Sequence, residues 1–264
     1  MDNWLDIEGH VVIVTGGSSG IGRAIVENFL KCGAKVYNFD LNDFDQRNEQ
    51  YHYIQVNVSD RYNVQQAVQQ VVEKHGKIDT LINNAGINLP RLLFDYRGDC
   101  PKYQMNEKDL DKMLNVNLKG PVWCAQEVVQ YQIKSGKGTI INIASEAGQE
   151  GSEGQSIYAA TKAAIIGFTR SWAKELGKHG IRVVAIAPGI LEDTGLRTQA
   201  YEEALAYTRD TTVEKVNSDY SKSIPIRRVG KLEEVADLVV YLSSKRSSYV
   251  TGTTINISGG KSRG

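Results

Sequence analysis

Cysteine is scarce in this chain. Cys32, Cys100 and Cys124 make an odd count with no Cys-x-x-Cys spacing. Such a set builds neither a disulfide framework nor a cysteine zinc site, and it predicts reduced thiols in a cytoplasmic compartment. Histidine is equally sparse. His10, His52, His75 and His179 are scattered and never stand four or five apart, so nothing points to a metal site. An excess of one charge is also missing: lysine plus arginine equals aspartate plus glutamate at 31 each. That balance leaves no electrostatic footprint for nucleic acid or an acidic membrane. No run approaches the roughly 18 apolar residues of a membrane span. The acidic start, MDNWLDIEGH, has no apolar core of the signal-peptide kind. Together the absences predict a soluble, cytoplasmic globular protein.

What the sequence does contain is alternation. HVVIV (10–14) is a short apolar run that reads as a buried strand, and KVYNFD (35–40), YIQVNV (53–58), IDTLIN (78–83), GTIINIA (138–144), IRVVAIA (181–187) and TTINIS (253–258) read likewise. Between them, Ile21, Ala24, Ile25, Val26, Phe29 and Leu30 are spaced for a helix, as are Val64, Ala67, Val68, Val71 and Val72. Further helices are predicted over about 107–134, 156–176 and 232–243. Residues 86–105 read as an irregular excursion, and 190–228 as charged, short helical patterns suited to a substrate loop or lid. Strand–helix alternation along the whole length predicts an α/β fold, one domain over 1–264, with a parallel sheet covered by helices on both faces.

Between the first strand and first helix stands TGGSSGIG, residues 15–22. Glycines permit turns and close approaches that a Cβ blocks, and the helix start behind them suits a pyrophosphate. A tight strand–helix turn alone would also ask for glycine. Asp40, however, ends the second strand 18 residues after Gly22, where a carboxylate can accept both hydroxyls of an adenosine ribose. Ser19 and Leu41 offer no cation for a 2′-phosphate, so the reading is NAD rather than NADP. Further on, SIYAATKAA (156–164) places Tyr158 and Lys162 four apart on a predicted helix, so both leave one face. By itself such a pair is usually a surface pair.

Three motifs in order, TGGSSGIG, NNAG at 83–86 and Tyr-x-x-x-Lys at 158–162, resemble those of the short-chain dehydrogenase/reductases, and the resemblance spans essentially the whole chain. It implies a Rossmann-type doubly wound sheet and an NAD-dependent oxidoreductase. A free phenol has a pKa of about 10; the expectation is that Lys162 and a positive nicotinamide lower it, so that Tyr158 takes the alcohol proton in oxidation and returns it in reduction. The resemblance further implies that Ser145 binds the reacting oxygen, that Lys162 also holds the nicotinamide ribose, and that Asn117, rather than the nearby Asn115, anchors a water. For the cofactor it implies Gly16, Ser18, Ser19, Gly20, Ile21, Gly22, Asp40, Asn57, Val58, Asn84, Ala85, Gly86, Pro188 and Gly189, with Tyr158 and Lys162. Two departures stand out: Asn57 replaces a common Asp, and PGILEDTGLR is one residue longer than the family's Pro-Gly-x-x-x-Thr, which shifts Thr194.

The expected cleft walls, 87–105, 146–157 and 190–228, are polar, which suits a polyol or sugar better than a steroid or fatty acyl chain. Substrate contacts are expected from Asn88, Arg91, Ser145, Gln155 and Tyr158, and Arg91, Lys102 and Arg197 are the cations available to a phosphate. The stretches SEAGQEGSEGQSIYAATKAA and RSWAKELGKHGIRVVAIAPGILEDTGLRT, with the tail SGGKSRG, are similar to one branch of the family, the bacterial sorbitol-6-phosphate 2-dehydrogenases. That branch implies interconversion of D-sorbitol 6-phosphate and D-fructose 6-phosphate. Reduction of L-sorbose 1-phosphate, oxidation of an unphosphorylated polyol, and a non-enzymatic NAD-binding redox sensor are the alternatives. It also implies a homotetramer, with helices 107–134 and 156–176 at one interface and the last helix and strand at the other. The basic tail, Lys261 and Arg263, is then expected to reach a neighbour's cleft.

Overall fold

The apolar run after His10 forms β1 (Val11–Thr15), every residue of it buried. Burial on both faces is what a central parallel strand demands. The structure is a computed structural model that describes residues 4–195, 197–216 and 220–262. After β1 come α1 (Gly20–Lys31), β2 (Lys35–Asp40), β3 (Tyr51–Gln55), α2 (Arg61–His75) and β4 (Thr80–Asn83). The second half runs α3 (Glu107–Leu114), α4 (Gly120–Ser135), β5 (Gly138–Ile143), α5 (Ala147–Glu150), α6 (Ser156–Leu176) and β6 (Ile181–Pro188). It continues through α7 (Gln199–Thr208), α8 (Val213–Val216) and α9 (Leu232–Ser243) to β7 (Thr254–Ile257).

The seven strands form one sheet in the order β3-β2-β1-β4-β5-β6-β7. Every pairing is parallel; Val14 faces Asn38 on one side and Ile82 on the other. This is the doubly wound α/β sheet expected from the alternation. Strand order reverses between β1 and β4, which opens a crevice at their C-terminal ends.

Each face of the sheet has its own apolar layer. On one, Ile25, Val26 and Phe29 of α1 meet Val235, Ala236, Val239 and Val240 of α9 over Val12, Val14, Ile141 and Val184. Asn28 Nδ2 donates to Asp237 Oδ1 at 2.8 Å across this helix pair. On the other face, Val64, Val68 and Val71 of α2 and Cys124 and Val128 of α4 cover Ile13, Leu81 and Ile140. A buried amide relay ties the site-bearing elements together: Asn83 Nδ2 donates to Asn142 Oδ1 and Asn142 Nδ2 to Thr169 Oγ1, both at 2.9 Å. Asn142 is paired through both its amide atoms, as a buried amide requires, while Asn83 Oδ1 is left without a partner among the described residues.

Most strand ends differ from expectation by one or two residues, and two differences are larger. β3 begins at Tyr51 and ends at Gln55 rather than running over 53–58. Its neighbour β2 has ended at Asp40, whose carbonyl takes the last bond, from Val56 N at 2.9 Å; beyond it the chain turns into α2, capped by Asp60. The helix expected over 107–134 is interrupted by a π turn at Asn115–Lys119. Pro121 has no N–H to continue the i→i+4 ladder, and Gly120 N–H instead reaches Asn115 O.

The excursion 86–105 contains a 3₁₀ turn, Pro101–Tyr103, and bridges Arg91 to Gln155 and Leu92 to Gln104. It is clasped to α7. Tyr207 Oη lies 2.8 and 2.9 Å from the Asp95 carboxylate oxygens and accepts from Cys100 N at 3.1 Å. Arg97 lies 4.1 Å over the Tyr207 ring and pairs with Asp210 at 2.6 Å.

Candidate active site

A cleft of about 1140 Å³ crosses the C-terminal ends of the central strands. Its floor is the glycine loop. Gly16 turns with φ +67°, and Gly22 approaches so closely that a Cβ there would lie 2.0 Å from Gly16 O. Asn84 stitches the loop to β4: its Nδ2 donates to Thr15 O at 3.0 Å and to Gly16 O at 2.9 Å. Thr15 Oγ1 in turn accepts from Asn84 N and Ala85 N, both at 3.0 Å. At the start of α1, Ser19 makes no side-chain cap and the first turn holds no acid. The positive helix end is therefore open to an anion. Asp40 is braced at the end of β2: it accepts from Ser18 N at 2.9 Å and Leu41 N at 2.6 Å. Loop, helix end and acid together fit a dinucleotide.

Gly16, Ser19, Gly20, Ile21, Gly22, Asp40, Asn57, Val58, Asn84, Ala85, Gly86, Pro188 and Gly189 all line the cleft; Ser18 does not. Asn57 commits its carbonyl oxygen to Ser59 N at 3.1 Å and Ser59 Oγ at 2.6 Å. Thr194 stands against the loop despite the extra residue before it, since a Cβ on Gly20 would lie 3.2 Å from Thr194 Cβ.

Ser145, Tyr158 and Lys162 come together beyond the loop. Ser145 follows β5, and α5 packs on α6 through Gly148, where a Cβ would lie 2.6 Å from the Lys162 carbonyl carbon. Ser145 stands beside Tyr158, where its hydroxyl opposes the rise in the phenol's pKa, and its Oγ accepts from Ala147 N at 3.2 Å. Lys162 Nζ donates to Ile143 O at 2.7 Å and lies 5.7 Å from the Tyr158 ring centroid. Burial pushes the Tyr158 phenol up to about 12, against the Ser145 hydrogen bond, and lowers Lys162 to about 8. Desolvation disfavours the charged phenolate and is the largest cause of that rise.

Asn117 is buried behind the wall rather than facing the cleft. Its Oδ1 accepts from Ile87 N at 2.9 Å, and its Nδ2 donates to Ile87 O at 2.8 Å and Thr161 Oγ1 at 3.2 Å. These bonds make the Asn117 side chain a strut that fixes the chain after Gly86 against α6.

Among the expected substrate contacts, Asn88 and Gln155 line the cleft and Arg91 does not. Arg91 is held by Asp109 Oδ2 and by Pro90 O, each at 2.7 Å. Lys102 also lies outside, 4.7 Å over the Tyr103 ring. Arg197 lines the cleft between Asp193 at 3.7 Å and Glu202 at 3.4 Å. The tail reaches its own cleft: Lys261 Nζ pairs with Glu146 Oε1 at 2.8 Å, and Ser262 Oγ donates to Glu146 Oε2 at 2.7 Å. Arg263, the other basic residue of the tail, lies outside the described residues.

Glu146 and Ser152 line the cleft as the polar wall 146–157 predicted, whereas Tyr201 is a cleft residue that sequence reasoning did not name. Tyr201 accepts from Gln155 Nε2 at 2.7 Å and from Asn88 Nδ2 at 3.5 Å. Helical periodicity in α7 says nothing about which residue will meet Gln155, 46 positions away. Among the described residues, no three His, Cys, Asp or Glu side chains gather as a metal would require, and no helix is long and apolar enough to cross a membrane.

Comparison with known proteins gives concordant matches. The short chain dehydrogenase family model matches residues 10–205. The chain is 52% identical over 267 aligned positions to sorbitol-6-phosphate 2-dehydrogenase of Klebsiella pneumoniae, covering 100% of both chains. It is 40% identical over 264 positions to the 3-oxoacyl-(acyl-carrier-protein) reductase FabG of Thermotoga maritima, covering 96% of this chain and 98% of that one. Ligand-free aldohexose dehydrogenase of Thermoplasma acidophilum matches in structure with a TM-score of 0.84 at 31% identity, over 97% of this chain and 95% of the other.

Proposed function

The chain belongs to the short chain dehydrogenase family and is an oxidoreductase, and on that premise we propose that it interconverts D-sorbitol 6-phosphate and D-fructose 6-phosphate with NAD. The full-length 52% identity to the Klebsiella enzyme carries the substrate reading. The polar wall of Asn88, Gln155 and Tyr201 supports it, because a 3-oxoacyl chain calls for a more apolar channel. Asp40 supports NAD: its carboxylate suits ribose hydroxyls and repels a 2′-phosphate.

When bound, the nicotinamide supplies the hydride acceptor. The chain's own groups handle the proton. Ser145 holds the reacting oxygen beside the Tyr158 hydroxyl. Tyr158 takes the alcohol proton in oxidation and donates it in reduction. Its neutral form in the free protein is the form reduction uses. Positive charge brought into the cleft lowers its pKa toward the working range. Lys162, fixed by Ile143 O, is positioned for the nicotinamide ribose. The reading includes a cytoplasmic homotetramer.

A substrate panel followed by NADH absorbance tests this reading: D-sorbitol 6-phosphate, L-sorbose 1-phosphate, D-sorbitol and a 3-oxoacyl thioester, each with both cofactors. Expected is the highest kcat/KM with D-sorbitol 6-phosphate and NAD, with NADP poorer by about 100-fold. A higher value for the thioester with NADPH overturns the proposal.

A further inference from the structure

Among the described residues, Arg209 is a half-buried cation of the cleft with no carboxylate paired to it. Arg209 ends α7 and lines the cleft. Its Nη2 donates to Ser152 Oγ at 3.1 Å and its Nε reaches Glu153 O at 3.5 Å. Among the described residues it forms no ion pair, and its Nη1 has no partner. The other cations near the substrate end are committed: Arg197 to Asp193 and Glu202, Lys261 to Glu146, and Lys162 to Ile143 O. Lys108 and Lys112 are exposed on α3.

Arg209 is joined to Tyr201 by a continuous chain of hydrogen bonds, and Tyr201 lines the same cleft as Tyr158. Ser152 Oγ donates to Gln155 Oε1 at 2.8 Å, and Gln155 Nε2 donates to Tyr201 Oη at 2.7 Å. Ser152 thereby orients the guanidinium and has no proton left for a ligand. Tyr201 accepts from two amides, so its own proton remains to be donated. Asn88 Oδ1 is buried without a partner, an acceptor left over on the same wall. Burial raises the Tyr201 phenol's pKa, opposed by the Gln155 hydrogen bond and the Arg209 cation, so Tyr201 keeps its proton. The cleft thus offers a proton-transfer group, a donor and acceptor pair, and a planar cation.

We propose that Arg209 is the anchor for the terminal phosphate of the substrate, with Tyr201 Oη and Asn88 Oδ1 pairing with the hydroxyls between phosphate and reacting carbon. A guanidinium suits this task because its planar fork matches two phosphate oxygens at once. The inference rests on the sugar-phosphate reading and adds the residue that distinguishes a phosphorylated from a free polyol.

The test is the ratio of kcat/KM for D-sorbitol 6-phosphate to that for D-sorbitol, in wild type, Arg209→Gln and Arg209→Lys. NADH binding, followed by fluorescence, checks that each variant is folded. Expected is a ratio that falls about 30-fold in Arg209→Gln, mainly through KM for the phosphorylated substrate, and is partly restored in Arg209→Lys. If wild type prefers the phosphate and Arg209→Gln keeps that preference, the assignment alone is overturned. If wild type uses both hexitols equally well, the substrate reading and the assignment fall together.

Discussion

Burial disfavours the charged form of both Tyr158 and Lys162, raising the phenol's pKa and lowering the ammonium's. Tyr158→Phe removes the phenol hydroxyl proposed to exchange the substrate proton. Turnover is expected to fall about 1,000-fold, with NADH affinity by fluorescence titration changed less than about threefold. Lys162 carries a stability consequence. Its folded pKa, about 8, lies below the ordinary 10.5, so between those values the unfolded chain binds the extra proton and stability rises with pH. Below pH 8 the buried cation costs about 3 kcal/mol. Urea unfolding of wild type against Lys162→Met is therefore expected to shift in favour of wild type by about 2 kcal/mol between pH 7 and pH 10. A constant difference would show that Lys162 does not titrate in that window. Tyr158, Lys162 and the glycines were legible in the sequence because one helical turn or one tight loop fixes their spacing. Arg91 and Tyr201 were not, because Asp109 and Gln155, their deciding partners, meet them only through tertiary packing.

Among the elements, α7 is held over the cleft by a clasp from the irregular excursion. Asp95 is buried, which alone would raise its pKa, yet the Tyr207 hydroxyl and the N–H groups of Cys100, Gly98 and Arg97 hold it below the usual carboxylate value. Tyr207→Phe leaves that carboxylate without its side-chain donor. Trypsin cleavage after Lys215 is expected to quicken about fivefold as α7 and its C-terminal extension open more often, with KM for the sugar substrate rising more than KM for NAD. Unchanged cleavage would mean that the Arg97 contacts alone fix the helix. Helix positions were readable from 3.6-residue periodicity, but the π turn at Asn115–Lys119 was not, because one extra residue in a turn hardly disturbs the apolar pattern. β3 was placed late because its end is set by where β2 stops, which YIQVNV by itself does not encode.

At the scale of the molecule, alternation along the chain was enough to specify a parallel sheet, while strand order depends on how each crossover returns. Assembly follows from what the sheet leaves uncovered. On α6, Gly167 is exposed with nothing within 4 Å of a Cβ placed there, and Phe168 and Trp172 stack beside it with ring centroids 5.1 Å apart. The homotetramer proposal uses this face. Light scattering is expected to give about four times the 29.2 kDa chain mass for wild type and half of that for Gly167→Arg; a variant that stays tetrameric would move the interface elsewhere. The pairing of α1 with α9 has a further consequence, for biosynthesis. The first helix made is covered by the last one made, so Ile25, Val26 and Phe29 wait through more than 200 residues of translation before Val235, Val239 and Val240 emerge. The growing polypeptide carries a bare apolar flank for almost its entire time on the ribosome, and that flank is where a holding chaperone would find its grip.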